Sequence, residues 1–154
     1  MNNEIEKFAD SLKDVLWQDP WYGDSVYSII GDVDPRLVAK NPGTAHSPLE
    51  LLYHMCSWAE FVLAQVKKDL AGVEAAEKNN WRDMSSCTWE DGVDLLKKTH
   101  EQILASLEEK SDSLLEEQAI NRTFNYRYLL YGLIQHNIYH AGQIAYAGKI
   151  LQNA

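Results

Sequence analysis

The sequence predicts an all-α fold, a four-helix bundle. Three observations carry the expectation. Apolar residues recur at helical spacing over several long stretches. Two of those stretches open with a capping pattern. Sustained period-2 alternation and Asn-Gly hairpin turns are missing. Four long amphipathic stretches within 154 residues fit one bundle domain spanning 1–154.

The first helix is expected from Asn2 to about Gln18, with Ile5, Phe8, Leu12, Val15 and Leu16 on its inner face. Asp19-Pro20 ends it, Trp21-Tyr22-Gly23 makes a turn, and a short helix follows over Ser25 to Gly31. The second long helix has the clearest start: Ser47 as N-cap, Pro48 at the first helical position and Glu50 at the third. It is expected to run to about Leu70, with Gly72 as its stop and a polar, irregular segment over 72–87. Its apolar band of Leu51, Leu52, Met55, Ala59, Val62, Leu63 and Val66 is wide enough for burial on more than one side. Thr88 and Asp91 open the third helix, whose inner face carries Val93, Leu96, His100, Ile103 and Leu107. A connection from Lys110 to Asn125, with room for one more helical turn, leads to the fourth helix over Tyr126 to Leu151.

The formal net charge of −9 argues against nucleic acid and against an anionic membrane surface as partners. No apolar run reaches the length of a membrane span, and the acidic, amphipathic N-terminus has no signal-peptide pattern. Cys56 and Cys87 have no framework spacing. A cytoplasmic protein is the expectation.

His136 and His140 stand four residues apart in the last helix, on a stripe with Leu129, Leu133, Gln143 and Ala147. Positions i and i+4 lie nearly above one another, so two imidazoles there can converge on one ion. Burying both without partners would cost a few kcal/mol, about what a shared cation offsets. His54 is the candidate third ligand, on an inward stripe of the second helix with Trp58, Phe61 and Gln65. Three imidazoles leave coordination positions open, which is the catalytic rather than the structural style of site. The stretch is not H-E-x-x-H, because Asn137 sits where the catalytic glutamate would be.

His100 competes as a fourth ligand, with a core histidine bonded to a carbonyl as the favoured reading; His46 reads as a loop residue. Cys56 should point away from the ion. Glu50 is the one weak candidate for proton transfer, although its cap already explains it. Trp58 and Gln143 are candidates to line or orient the site, and Trp21, with Tyr22 and Trp81, to shape its mouth.

The stretch "PWYGDSVYSIIGDVDPRLVAKNPGTAHSPLELLYHMCSW" resembles the amino-terminal half of DinB/YfiT-like proteins, with a Trp-x-Gly turn and a His-Ser-x-x-Glu helix start. "GLIQHNIYHAGQIAYAGKIL" is similar to that family's last helix, and "NNW" after the second helix also fits. The likeness runs from about residue 15 to residue 152. It implies an up-down-down-up order of four helices and a divalent metal on the three histidines that match His54, His136 and His140. Zinc or nickel is expected first, then iron or manganese. It also implies frequent homodimers and, in some relatives, thiol-dependent transfer with bacillithiol or mycothiol, while others are described as metal-dependent hydrolases. The expected function is therefore a metal-dependent hydrolase or thiol S-transferase acting on a small molecule, or else a non-catalytic metal-binding protein.

Overall fold

The structure, a computed structural model, describes residues 3–43 and 46–154. Its helices are α1 (Glu4–Trp17), α2 (Val26–Gly31), α3 (Pro48–Val66), α4 (Leu70–Lys78), α5 (Trp89–Glu108) and α6 (Tyr126–Gln152), with a 3-10 helix over Asp112–Glu116. The described residues contain no strand, only one isolated antiparallel bridge between Gln118 and Asn125. Among the described residues, no helix is long and apolar enough to cross a membrane.

The start of α1 expected at Asn2 lies outside the described residues. Asn3 caps the helix instead, its side chain accepting from the Glu6 N–H. The Asp112 carboxylate accepts from the Glu4 and Ile5 N–H groups, both at 3.0 Å, so the 3-10 helix satisfies donors that α1 leaves open. The turn over 21–23, the short α2 and the helical turn after Lys110 are all where the sequence puts them.

The central element is α3, which packs against α4, α5 and α6. Its wide apolar band accounts for this: Leu52, Met55, Cys56, Ala59, Phe61, Val62 and Val66 are all buried. The capping box holds at its start, with Ser47 and Glu50 each accepting from the other's backbone N–H. Its closest neighbour is α5. A Cβ on Gly92 would meet Leu52 Cδ2 and a Tyr53 ring carbon at 2.8 Å, so the absence of a side chain there sets the approach of the two helices.

The stretch after α3 departs from expectation. The helix ends at Val66 rather than near Leu70, and the chain reverses through Lys68 at φ 58°. Asp69 then caps a new helix, α4, by accepting from the Gly72 N–H at 3.0 Å. Gly72 is therefore no stop. It stands in the first turn of α4, where a Cβ would meet Asp69 Oδ2 at 2.5 Å and Ala64 Cβ at 3.0 Å. Val73 and Ala76 bury the inner face of α4, so only 79–87 of the expected irregular segment is irregular.

Behind the core runs a polar clamp. Gln65, fully buried, donates to the Ile120 carbonyl at 3.0 Å and accepts from the Ile120 N–H at 2.8 Å. The Tyr126 hydroxyl donates to the Gln65 carbonyl at 2.8 Å. These bonds tie the connection before α6 to α3, and so fix where α6 begins.

Candidate metal centre

The histidines of α3 and α6 meet. One ring nitrogen from each of His54, His136 and His140 lies within 4.8 Å of the others. The Nε2 atoms of His54 and His136 are 3.1 Å apart. Ligand nitrogens about 2.0–2.1 Å from one ion stand about 3.0–3.4 Å from each other, so this spacing, which a direct hydrogen bond also satisfies, is compatible with two ligands to a common centre.

The outer nitrogens decide which lone pairs face inward. His54 Nδ1–H donates to the Asn80 carbonyl at 3.3 Å, and His140 Nδ1–H donates to Gln143 Oε1 at 2.6 Å. Each bond fixes a tautomer that leaves Nε2 free to ligate. His136 differs: its Nδ1 is buried and has no hydrogen-bond partner. Its ring is held by packing instead, with the Trp58 ring 5.8 Å away and the His140 ring 4.3 Å away.

Burial keeps the three rings neutral. It pushes His136 down to about 3, helped by the charges that His140 and His54 would carry, and it lowers His54 and His140 as well. Neutral imidazole is the ligating form. The donor set therefore fits a divalent ion: three convergent nitrogens, two of them oriented by an outer partner and none in need of deprotonation at neutral pH.

Trp81 covers His54. Its ring stacks on His54 at 4.0 Å and 9°, and His46 stacks on Trp81 at 3.8 Å and 13°. The loop that carries Trp81 also supplies the Asn80 carbonyl, and it is pinned to α3. Ser57 Oγ donates to the Asn79 carbonyl at 2.7 Å, and Arg82 reaches Ser57 Oγ and Glu60, each at 2.8 Å. Trp21, expected at the mouth, is instead fully exposed at the surface and lines neither cavity beside Trp58. Tyr22 beside it is also exposed. Glu50 keeps its carboxylate on the Ser47 N–H at 2.7 Å, and among the described residues no carboxylate joins the three histidines.

His100 is not a ligand. It is fully buried, with Nδ1 2.8 Å from the Tyr27 hydroxyl and Nε2 3.1 Å from the Asn137 amide nitrogen. Its partners are thus a hydroxyl and a side-chain amide, not the carbonyl expected. Asn137 is buried between the two histidines of α6 and links this network to the cluster's helix. Cys56 points away, its thiol donating to the Gly92 carbonyl at 3.3 Å and pushed up to about 12 by burial.

Burial pushes His100 down to about 3 from an ordinary 6.5. As pH falls, the unfolded chain therefore takes up this proton first. The stabilisation is complete above 6.5 and is lost progressively below it. Between pH 6.5 and a pH of about 4, this one group should remove about 3 kcal/mol. Urea unfolding across that range tests it: the His100→Gln chain should lose stability less steeply than the wild type, by close to one proton's worth. Parallel slopes would show that His100 titrates normally.

Two residues, one that orients His54 and one that binds the neighbouring His100, escaped the sequence reading. Asn80 acts through its backbone carbonyl, which no residue type announces. Asn137 stood out only as the residue in place of a glutamate.

A profile of the DinB superfamily matches residues 3–144. No curated protein and no solved structure matches the chain. The matched span takes in all three histidines, the loop that covers His54 and most of α6, and the all-helical architecture is consistent with the family's. The chain belongs to the DinB superfamily.

Proposed function

We propose that the protein is a divalent-metal-dependent transferase that activates a small thiol at His54, His136 and His140. The observation that carries this reading is the make-up of the cluster: three neutral imidazoles and, among the described residues, no carboxylate. A divalent ion held there, zinc or nickel first, supplies Lewis acidity and lowers the pKa of a thiol or water in its open positions. A thiol activated in this way needs no protein base. Hydrolysis also asks for a group that protonates the departing fragment, and Glu50 is occupied at its cap.

The chain's own residues hold and shield. Asn80 and Gln143 fix the ring orientations of His54 and His140, Trp58 packs against His136, and Trp81 screens one face of His54 from water. The same reading takes the four long helices α1, α3, α5 and α6 in up-down-down-up order. It takes the protein as a cytoplasmic homodimer; the exposed Tyr131, Tyr139 and Tyr146 on α6 support a second copy on that helix.

The test is turnover of zinc- or nickel-loaded protein with a panel of low-molecular-weight thiols and an electrophilic acceptor, beside a panel of esters and amides. Thiol consumption that disappears in His54→Ala is expected. Ester or amide cleavage without thiol would assign a hydrolase. Tight metal binding that stabilises the fold, with no turnover of either panel, would assign a non-catalytic metal-binding protein.

A further inference from the structure

Two cavities flank Trp58. One, of about 150 Å³, is lined by Ser57, Phe61, Glu77 and Asn80, and no histidine of the cluster reaches it. The other, of about 190 Å³, lies between α3 and α6, and His136 forms part of its wall. Of the two, only the second borders a candidate ligand directly.

The chemistry of that second cavity is one-sided. Its walls include Trp58, Val62, Phe124 and Leu133, and no Asp, Glu, Lys or Arg lines it. The phenol of Tyr128 stands at its rim, 68% exposed, with its ring 5.0 Å from that of Phe124. Gly132 makes the room. A Cβ built there meets nothing within 4 Å, so the space lies directly over the backbone of α6. A charged group would enter without a counter-charge and lose hydration, whereas an apolar one gains by leaving water. A cavity of about 150 Å³ lined by aliphatic and aromatic side chains takes up benzene, so 190 Å³ has room for one ring.

We propose that this cavity receives an uncharged phenyl or branched alkyl group, of about six carbon atoms, belonging to a substrate whose polar atom takes an open position at the metal. This assignment rests on the metal reading for the position of the polar atom, but not for the cavity itself. It narrows the substrate to a compound with an apolar arm adjoining a metal-binding atom, on the His136 side of the centre.

Filling the cavity tests it. Gly132→Leu places a side chain in the open space, and replacing a mid-helix glycine favours the helix, so the variant should fold. Gly132→Ala is the smaller step should leucine disturb α6. On metal-free protein, fluorobenzene followed by 19F NMR should bind saturably to the wild type and not to Gly132→Leu. On zinc-loaded protein, calorimetry should show benzohydroxamate binding about 10- to 100-fold more tightly than acetohydroxamate. Gly132→Leu should cut that ratio to about one-tenth or less, with zinc content unchanged. Equal fluorobenzene binding in wild type and variant, or equal hydroxamate ratios, overturns the proposal. A wild type that takes up no zinc fails the metal reading and with it the placement of the polar atom. The fluorobenzene arm, which needs no ion, still decides the cavity.

Discussion

His136→Ala is expected to lower zinc affinity by more than about 100-fold, because removing a partner of a ligand alone costs about 10- to 100-fold. Gln143→Leu supplies that smaller effect as an internal scale. It keeps the His140 ring and removes the side-chain amide whose oxygen, 2.6 Å away, fixes its tautomer. The order His136→Ala, then Gln143→Leu, then wild type follows from geometry: one change removes a donor from a set of three, the other loosens one. Competition against a chromophoric chelator at neutral pH measures all three. Equal affinity in wild type and His136→Ala would remove the ion from the cluster, and the three rings would then be buried polar groups of the core. Affinity lost in His136→Ala but untouched in Gln143→Leu would keep the site and show that the surrounding packing alone orients His140.

The second large effect concerns stability. Gln65→Ala should destabilise the fold by about 3 kcal/mol, since it leaves both the N–H and the carbonyl of Ile120 without their partner and opens a gap in the core. Gln65→Met keeps the volume and loses only the polar pairing, so it should fall between the two, at about 2 kcal/mol. Chemical denaturation gives both numbers. If Gln65→Ala costs under about 0.5 kcal/mol, as a surface change does, the clamp does not hold the connection before α6.

What could be read from the sequence was local. Ser47, Pro48 and Glu50 specify a helix start within four residues, and the cap is as the spacing demands. His136 and His140 share a face because the helix repeats about every 3.6 residues, and His54 faces them because Trp58, Phe61 and Gln65 mark the inward side of α3. The missed helix, α4, is short and opens with an aspartate cap three residues before a glycine, so the glycine passed for a terminator. Its role becomes visible only once Ala64 and Asp69 crowd the same point in space. Of Trp21 and Trp81, both expected at the mouth, only Trp81 reaches a histidine, for a similar cause. Both tryptophans lie in turns, and only the docking of the 79–88 loop on Ser57 and Glu60 decides which one reaches a histidine. His100 was legible as inward-facing, but its partners, Tyr27 and Asn137, come from two other helices.

The cluster joins residues 82 positions apart. While the chain is being synthesised, His54 is made long before α6 exists, and one exposed imidazole on a nascent helix is a poor competitor for a scarce ion. A site that needs both helices therefore exists only once α6 has packed on α3, and the choice of any ion there falls to the folded protein.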